Sequence, residues 1–521
     1  MKTRICSLLL LIILSTVSSL SCIAAERPNV LFISIDDLND WIGEMGGHPQ
    51  AITPNMDELF NEGVLFTNAH CSQAVCAASR NSLLSGLHPS TTGWYTSTSD
   101  MRASFDTVMG SHKMLPQYFK DNGYKTMAVG KIYHQGVTDY KDRTDDFWDE
   151  TAPDYNVPKD LKDRGDGYGG TKFYPFPRNG SQIVNHYGED FADGHSLCYG
   201  ALEREDMPEG KMFDELIAEW AVDKLNEDHD KPFFLAVGFV RPHVPYTAPK
   251  EFFDYYDLDK IKLPHVPDDE MSDIPLMGKS IAFGTIKIGD HNAVTSLSDT
   301  YWQEMVYGYL ACVSFVDHEL GKVLKALRES KYADNTIIVL WTDHGQHLGE
   351  KKHWRKQALW EESTHVPLFF KVPGLSKKGT RSDSAVSLLD VYPTLVDLCD
   401  LPDASKLEGN NIQALIRNPK KKWDKPVLST WYYKNHSVRS NDWRYIHYRD
   451  GSEELYNHKI DPEEHVNLAG NPEYASVIAE HKAYLPNEDA LPAGDSEWEP
   501  DKLDRRINSW VENDSVPDWL K

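Results

Sequence analysis

Apolar runs that end in polar residues constrain the fold of this chain most strongly. Between these runs lie stretches in which apolar residues recur at the spacing of a helix, as at 212–225 and 302–328. The runs are residues 29–35, 125–129, 232–240, 336–341 and 367–372. Continuous apolar runs with β-branched residues predict strands that are buried on both faces. Strands that alternate with helices predict a doubly wound α/β fold around a large, mostly parallel sheet.

Chemically useful side chains follow these runs. They are Asp36, Asp37, Lys131, His134, His243, Asp343 and His344. Ligands of doubly wound sheets bind outside the carboxyl ends of the strands, so we expect these side chains to meet there as an active site. Taken singly, several have an ordinary explanation, because aspartates after a strand are typical of turn caps and a lone Lys131 or His134 is typical of a solvated loop.

The segment 72–88 contains Cys76 and Arg80, four residues apart. If a helix opens at Ala77, this spacing directs both side chains to one face. A thiol at a helix N-terminus beside a fixed cation is a reactive environment. Cys76 could equally be a small structural cysteine buried in a helix, because cysteines are often buried in this way. The spacing alone leaves both interpretations open.

The charge of the chain limits its partners. The formal net charge is −26 at pH 7. Such an acidic protein is not expected to bind nucleic acid, which is itself a polyanion. A polyanionic substrate would need a locally basic pocket.

The N-terminus has the pattern of a secretory signal, with basic residues, a short apolar run at 8–14 and small residues that end at Ala25. We expect cleavage near Ala25 and an exported protein, periplasmic or secreted. Cys22 fits a lipid-attachment site poorly, and the apolar run is too short to span a membrane. Cleavage leaves an odd number of cysteines, so at least one is unpaired, and Cys76 is the natural candidate.

Several blocks of this sequence resemble the type I sulfatases, and within them the iduronate-2-sulfatase group with its bacterial relatives. The segment Cys76-Ala77-Ala78-Ser79-Arg80 is similar to the family signature C-x-P-S-R, with Ala78 where proline is usual. The matching blocks are residues 36–38, 73–76, 130–134, 241–245, 343–345, 348–350 and 364–368. The resemblance runs from about residue 29 to about residue 469, and it includes the tail at 454–469.

The resemblance implies both a fold and a chemistry. The fold would be alkaline-phosphatase-like, with a smaller C-terminal antiparallel sheet. A maturation enzyme would oxidise Cys76 to formylglycine, whose hydrate attacks sulfur. Calcium, with magnesium as the second choice, would be bound by Asp36, Asp37, Cys76, Asp343 and His344. Oxygen-rich ligation agrees with either ion rather than zinc, although His344 is an unusual ligand for both.

The same resemblance assigns the remaining site residues. Lys131, Lys356 and Arg80 would supply positive charge where negative charge develops. His243 would protonate the departing sugar oxygen, and His134 would assist the nucleophile. The sulfated intermediate would then collapse to release sulfate and restore the aldehyde.

The sequence leaves the substrate open. Our first hypothesis is a sulfated algal polysaccharide such as ulvan, or its oligosaccharides, and the second is a glycosaminoglycan with 2-O-sulfated uronate. A phosphodiesterase or phosphonate monoester hydrolase on the same fold is a third. A non-catalytic protein that binds sulfated glycans through an unmatured Cys76 is a fourth.

The predicted organisation has four parts. They are a signal peptide at 1–25, a catalytic domain at 26–402, a linker at 403–425 and a C-terminal subdomain at 426–521. Within the subdomain we expect short antiparallel strands at 437–448 and 453–456, joined at Asp450-Gly451, a favourable hairpin turn. Residues 137–210 predict a long insertion or substrate-facing loop. Residues 348–356 predict a polar loop.

Overall fold

The computed structural model describes the chain from residue 27 onward with several gaps. The described ranges are 27–96, 98–134, 143–152, 181–182, 197–207, 210–404, 406–493 and 500–521. The predicted signal peptide, with Cys22, and most of the predicted insertion at 137–210 lie outside the described residues. Both stay predictions.

The strands run from the N-terminal core to the C-terminal sheet. Those of the described residues are β1 (Asn29–Ile35), β2 (Val64–His70), β3 (Lys125–Gly130), β4 (Glu150–Thr151), β5 (Ser181–Gln182), β6 (Cys198–Leu202), β7 (Phe233–Phe239), β8 (Tyr246–Pro249), β9 (Thr336–Thr342), β10 (His347–Leu348), β11 (Trp354–Arg355), β12 (His365–Lys371), β13 (Thr380–Ser382), β14 (Val386–Ser387), β15 (Val427–Thr430), β16 (His436–Arg439), β17 (Trp443–His447) and β18 (Glu453–Asn457).

The helices lie mostly between strands. Those of the described residues are α1 (Pro54–Phe60), α2 (Cys76–Ser85), α3 (Pro89–Thr92), α4 (Thr98–Met109), α5 (Leu115–Asp121), α6 (Thr144–Phe147), α7 (Phe213–Asn226), α8 (Lys250–Phe253), α9 (Leu276–Phe283), α10 (Asp290–Leu297), α11 (Tyr301–Glu329), α12 (Glu361–Thr364), α13 (Val391–Leu398), α14 (Gln413–Arg417), α15 (Ala475–Lys482) and α16 (Pro500–Asn513). Short 3₁₀ turns lie at Arg204–Asp206, Leu258–Lys260, Ala333–Asn335, Glu350–Lys352, Leu388–Asp390, Pro472–Tyr474 and Asp518–Leu520. No helix in the described ranges is long and apolar enough to cross a membrane.

A large mixed sheet forms the centre of the fold. In the part of the chain that the structure describes, its order is β13-β2-β12-β9-β1-β7-β3-β4, with β14 also paired to β2. The pairs of β1 with β7 and β9, and of β3 with β7, are parallel, whereas β12 is antiparallel to both β2 and β9. Helices such as α7, α11 and α13 flank the sheet. This arrangement confirms the predicted α/β class and its mostly parallel sheet.

The sheet separates two apolar cores because alternate residues of each strand point to opposite faces. On β1, Leu31 and Ile33 belong to the core that contains α11, while Val30 and Phe32 belong to the core that contains α2 and α13. Burial of β1 on both faces explains its continuous apolar sequence.

The structure corrects several details of the sequence-based prediction. The strand β2 (Val64–His70) was not predicted, although it lies inside the main sheet. Residues 348–356 do not form a polar loop. They contribute to the β10–β11 ribbon, and both Lys351 and Trp354 are buried. Lys351 can be buried because its ammonium pairs with the buried Glu270 at 2.7 Å.

The C-terminal part contains a small antiparallel sheet in the order β15-β16-β17-β18. The stretch predicted as a single strand at 437–448 forms two strands, β16 and β17, and the hairpin at Asp450-Gly451 joins β17 to β18. Within the predicted linker at 403–425, α14 buries Leu415 and Ile416 against the core of the main sheet. The proposed division at 402 and 425 stays a prediction.

Candidate active site

The carboxyl ends of the central strands bring the predicted site residues together. Asp36 and Asp37 follow β1, Lys131 follows β3, and Asp343 follows β9. These strands are parallel, so their carboxyl ends share one edge of the sheet. The close approach of β3 and β7 requires glycines, since a Cβ at Gly130 would lie 2.1 Å from the Gly238 carbonyl oxygen. The side chains that follow these strands therefore meet at the carboxyl edge of the sheet, as the sequence predicts.

Five side chains form a compact cluster at this edge, which we call the edge cluster. Each offers one ligand atom, and these atoms lie within 4.8 Å of one another. All five are buried. The members are Asp36, Asp37, Cys76, Asp343 and His344. They are the residues that the sequence resemblance assigned to a metal ion.

The donor set fits a divalent cation. Asp37 Oδ2 is fully buried and has no hydrogen-bond partner among the described residues, which is costly for a carboxylate oxygen unless a cation compensates it. The His344 ring is oriented by its Nδ1, which lies 2.9 Å from the Gly345 carbonyl oxygen. Because a carbonyl can only accept, Nδ1 carries the proton and Nε2 presents its lone pair to the cluster, as a metal-binding histidine requires.

Arg80 lies beneath the edge cluster and holds its carboxylates apart. Its Nε donates to Asp343 Oδ2 at 2.8 Å, and its Nη2 lies 3.3 Å from Asp36 Oδ1. Nη1 donates to the backbone carbonyl of Lys131 and, at 3.3 Å, to Ser34 Oγ. The side chain is completely buried. Its donors are directed at protein oxygens, so the geometry describes a residue that positions the cluster.

Two lysines complete the charge of the site. Lys131 Nζ pairs with Asp36 Oδ2, and Lys356 Nζ lies 2.6 Å from Asp37 Oδ1 and 2.8 Å from Cys76 Sγ. Burial alone would raise the pKa of Asp36, but Lys131, His243 and Arg80 hold it well below its usual range. Asp36 is therefore ionised at neutral pH despite being buried.

Cys76 begins α2, one residue before the predicted start, and shares a helix face with Arg80. Its Sγ lies 3.2 Å from His344 Nε2. Burial raises the pKa of the Cys76 thiol to about 12, although Lys131 and Lys356 act in the opposite direction. For the unmodified side chain, desolvation therefore opposes the activation that the helix N-terminus and a nearby cation would provide.

The two predicted catalytic histidines are His243 and His134. His243 Nδ1 donates to the Val244 carbonyl at 2.6 Å, and its Nε2 lies 3.9 Å from Asp37 Oδ2. Arg241 fixes this loop by donating to the His243 carbonyl at 2.9 Å. Burial and, second, the charge of Lys131 lower the pKa of His134 to about 3, so His134 is neutral at physiological pH.

A cleft of about 140 Å³ opens next to His243 and Lys356. Its walls come from distant parts of the chain. They include Ser280 and Gly284, the aromatic residues Trp431 and Tyr432, and Lys502 and Arg506 of α16. The sequence predicted no role for these C-terminal residues. The only signal available was the four-residue spacing of Lys502 and Arg506 on a helix in an acidic tail.

Comparison with protein families gives two matches. A family model described as sulfatase matches residues 28–401, and a model described as N-sulphoglucosamine sulphohydrolase, C-terminal, matches residues 349–490. Together they span most of the chain, but neither includes α16.

Individual relatives carry related names. The chain is 38% identical over 474 residues to a protein named sulfatase from Formosa agariphila, covering 89% of this chain and 87% of that protein. It is 31% identical to human iduronate 2-sulfatase, covering 81% and 84% of the two chains. It is 26% identical to an ulvan-active sulfatase from Formosa agariphila, covering 88% and 80%.

Solved structures support the alkaline-phosphatase-like fold. A structure described as a 2-O GAG sulfatase matches with a TM-score of 0.64 and 23% identity, covering 94% of both chains. The phosphonate monoester hydrolase of Agrobacterium radiobacter matches with a TM-score of 0.69 and 20% identity, covering 92% of this chain and 96% of that one. At such identities the similarity establishes the fold alone.

Proposed function

This chain belongs to the sulfatase family of sulfuric ester hydrolases, and from that premise we propose that it desulfates a sulfated carbohydrate with a nucleophile derived from Cys76. One observation carries the proposal. Cys76 Sγ lies between Lys356 Nζ at 2.8 Å and His344 Nε2 at 3.2 Å, inside a cluster of three aspartates. A buried thiol with a high pKa is a poor nucleophile, so its position among charged groups agrees with conversion to formylglycine by a maturation enzyme.

The edge cluster would hold a divalent cation, for which we propose calcium. Asp36, Asp37, Asp343, His344 and the modified Cys76 would be its ligands, and the hard oxygen donors favour Ca²⁺ over Zn²⁺. When bound, such an ion polarises the sulfuryl group and offsets its negative charge. The unpartnered Oδ2 of Asp37 is the observation that supports this assignment.

The chain's own residues would supply binding and proton transfer. Lys131 and Lys356 provide fixed cations beside Asp36 and Asp37, where the oxygens of a bound sulfate ester would gain charge. His243 points its Nε2 toward the site because Nδ1 donates to a carbonyl. Once the imidazole is protonated, Nε2 is the atom that would give a proton to the departing sugar oxygen. His134, which burial keeps neutral, would assist the nucleophile. Arg80 would act as a positioning residue.

For the substrate, we propose an acidic sulfated polysaccharide or its oligosaccharides, with ulvan as the first candidate. The relative named ulvan-active sulfatase supports ulvan at 26% identity. Human iduronate 2-sulfatase supports the second candidate, a glycosaminoglycan with 2-O-sulfated uronate. An exported enzyme, as the N-terminal signal predicts, would meet such polymers outside the cell.

The test begins with the mass of the tryptic peptide that contains Cys76, on protein produced with a formylglycine-generating enzyme. We expect aldehyde in place of thiol, and release of inorganic sulfate from 4-nitrophenyl sulfate and from ulvan or heparin oligosaccharides. A protein that carries formylglycine but releases no sulfate from any of these esters contradicts the proposal. Faster hydrolysis of phenyl phosphonate monoesters than of sulfate esters would favour the phosphonate hydrolase.

A cysteine that stays unmodified in the native host, together with tight binding of sulfated oligosaccharides, would favour a non-catalytic glycan-binding protein. The Ala78 in the signature makes this comparison necessary, because proline is usual at that position in the family. The variant Ala78→Pro, with the restored signature, is the matched control for the maturation step.

A further inference from the structure

The far wall of the cleft beside the edge cluster comes from the C-terminal helix α16. The cleft begins at His243 and Lys356 and extends to Lys502, Leu503 and Arg506. The family matches end at residue 490. The helix therefore adds to the active-site cleft from a part of the chain that the family models do not describe.

Packing fixes α16 against α9. Leu503 and Trp510 are buried, and the ring centroids of Trp510 and Phe283 lie 5.6 Å apart. Arg506 donates to the carbonyls of Ser280 at 2.5 Å and Gly284 at 3.0 Å, and its guanidinium lies over the Phe283 ring. These contacts of Arg506 anchor the helix. Lys502 lies one turn earlier on the helix and lines the cleft.

The preceding segment also ties the tail to the catalytic half. The backbone N–H of Ala490 donates to Ser90 at 2.6 Å, and that of Ala493 donates to Gly93 at 2.9 Å. Both acceptors belong to α3 or its C-terminal end, and α3 follows the helix that carries Cys76. The tail is therefore fastened to the catalytic half at Ala490 and Ala493, before α16 begins.

The charge of the cleft is opposite to that of the whole chain. Among the described residues that line it, Lys356, Lys502 and Arg506 are basic, and the carboxylate of Asp290 is paired with Arg355 at 2.7 Å. The chain has a net charge of −26. The basic residues of the cleft attract an anionic ligand locally, against the negative potential of the surrounding surface. Lys502 lines the cleft with an exposed side chain, so it lies where a ligand that protrudes from the reaction centre would pass.

We propose that Lys502 is a specificity-determining residue that binds a second anionic group of the substrate, on the sugar next to the one that loses sulfate. This inference rests on the proposed function. The second group is a carboxylate or a sulfate, since an ammonium recognises both. Tyr432 packs on the buried Trp431 with ring centroids 3.8 Å apart. It is partly exposed and lines the cleft together with Lys502, where it offers an apolar surface to the sugar ring.

The experiment compares Lys502→Gln with Arg505→Gln in the mature enzyme. Arg505 is exposed on the same helix and does not line the cleft, so it controls for a loss of helix charge. Three substrates separate the sources of binding. They are 4-nitrophenyl sulfate, which has no second anion, a 2-O-sulfated uronate disaccharide, which carries a carboxylate, and a carrageenan oligosaccharide, which carries further sulfates but no carboxylate.

We expect Lys502→Gln to lower kcat/KM about tenfold on at least one oligosaccharide, mainly through KM, because one charge-assisted contact is lost. Turnover of 4-nitrophenyl sulfate should stay within about twofold of wild type, as should Arg505→Gln on every substrate. Lys502→Glu should be worse than Lys502→Gln. The oligosaccharide that loses most identifies the second anion as carboxylate or sulfate.

A binding measurement keeps this inference separate from the proposed function. The Cys76→Ala protein, with and without Lys502→Gln, is titrated with the same two oligosaccharides. Equal affinity in both proteins, or an equal loss for 4-nitrophenyl sulfate and oligosaccharides, would overturn the role of Lys502 while leaving sulfatase activity intact. Absence of turnover by the mature wild type on every ester would instead overturn the proposed function.

Discussion

In the part of the chain that the structure describes, two largely buried groups of acids and histidine have ligand atoms close enough for a metal ion. They differ in how many of their carboxylate oxygens already accept a hydrogen bond. One is the edge cluster. The other, here the subdomain cluster, consists of Glu361, His458 and Glu464. Both are shielded from most solvent, and both mix carboxylates with imidazole. Residue types and distances therefore do not separate them.

The subdomain cluster is satisfied by protein groups. Arg439 donates to both oxygens of Glu361, at 3.1 and 3.3 Å. Arg444 donates to Glu361 Oε2 and, at 2.6 Å, to Glu464 Oε1, while the backbone N–H of Glu361 donates to Glu464 Oε2 at 2.9 Å. Two arginines balance two carboxylates, and every carboxylate oxygen has a donor. A cation would have to compete with these donors for the carboxylate oxygens.

The edge cluster is left incomplete. Three carboxylates face one arginine and two lysines, but Asp37 Oδ2 has no hydrogen-bond donor among the described residues. An unsatisfied buried carboxylate oxygen is costly, and it persists where a ligand compensates it. The difference teaches that unused bonding capacity, more than the presence of acids, distinguishes a site from a structural network.

The largest expected effect is the loss of turnover when the nucleophile of the edge cluster is removed. We expect Cys76→Ala to lower sulfate release by about 10⁴-fold or more, since the residues of such a site act as a unit. Thermal unfolding should change little. The matched control is Cys71→Ala, a buried cysteine outside the edge cluster, which should retain turnover within about threefold. Equal losses in both variants would mean that general packing, and not the nucleophile, was damaged.

Loss of one partner in the subdomain cluster should affect stability and spare chemistry. Arg444 is completely buried and bridges Glu361 and Glu464. We expect Arg444→Met to lower the free energy of unfolding by about 3–5 kcal/mol, because it leaves buried carboxylates uncompensated. Urea unfolding measures the loss, and turnover per folded molecule should be unchanged.

The control for this variant is the exposed pair of Lys459 and Asp442, 2.7 Å apart. Lys459→Gln should cost at most about 1 kcal/mol. A drop in turnover of folded Arg444→Met that matches its loss of stability would show that the subdomain cluster supports the chemistry directly.

Metal binding should distinguish the clusters by a smaller amount. We expect calcium at about 100 times its dissociation constant to stabilise the wild type by about 2.7 kcal/mol, because the ion binds the folded state. Chelation should reverse the effect. The shift should vanish in Asp37→Asn and persist in Glu464→Gln, as followed by the thermal unfolding midpoint and by calorimetric titration. If calcium no longer stabilised Glu464→Gln but still stabilised Asp37→Asn, the ion would bind in the subdomain cluster and not in the edge cluster.

Much of the edge cluster can be predicted from the amino-acid sequence. Ligands lie beyond the carboxyl ends of parallel strands, and this rule alone brings Asp36, Lys131 and Asp343 together. It succeeds because the central strands are apolar on both faces and therefore easy to recognise. Cys76 and Lys356 lie outside this rule. The spacing of Cys76 and Arg80 leaves two interpretations open, and only the resemblance to a family gives Cys76 and Lys356 a role.

Long-range pairing hides the rest. The strand β2 carries Thr67, Asn68 and His70 among its apolar residues, which weakens its strand pattern. The charged residues around Lys351 predicted a polar loop. The neighbouring sequence does not show that Glu270 pairs with Lys351 in the interior. The subdomain cluster escapes prediction for the same reason, since Glu361 and Arg444 are 83 residues apart.

The smallest effect concerns how acid weakens the subdomain cluster. Burial alone would raise the pKa of Glu361, but Arg439, His458, Arg444 and His70 face it and together hold the pKa well below its usual value of 4.5. Below pH 4.5 the unfolded chain therefore takes up a proton at this position that the folded chain does not. The stabilisation is complete above that pH and declines as the pH falls toward the folded-state pKa.

The variant Glu361→Gln lacks this proton uptake. The difference in unfolding free energy between wild type and Glu361→Gln should narrow by about 0.7 kcal/mol as the pH falls from about 5 to about 4. The slope for one proton is at most about 1.4 kcal/mol per pH unit, and the unfolded carboxyl is on average half protonated over this range. Urea unfolding at each pH measures it, with Asp442→Asn from the exposed pair as the reference. A difference that stayed constant or widened in acid would mean that Glu361 is not held ionised, and the subdomain cluster would then lose its status as the charge-balanced counterpart of the edge cluster.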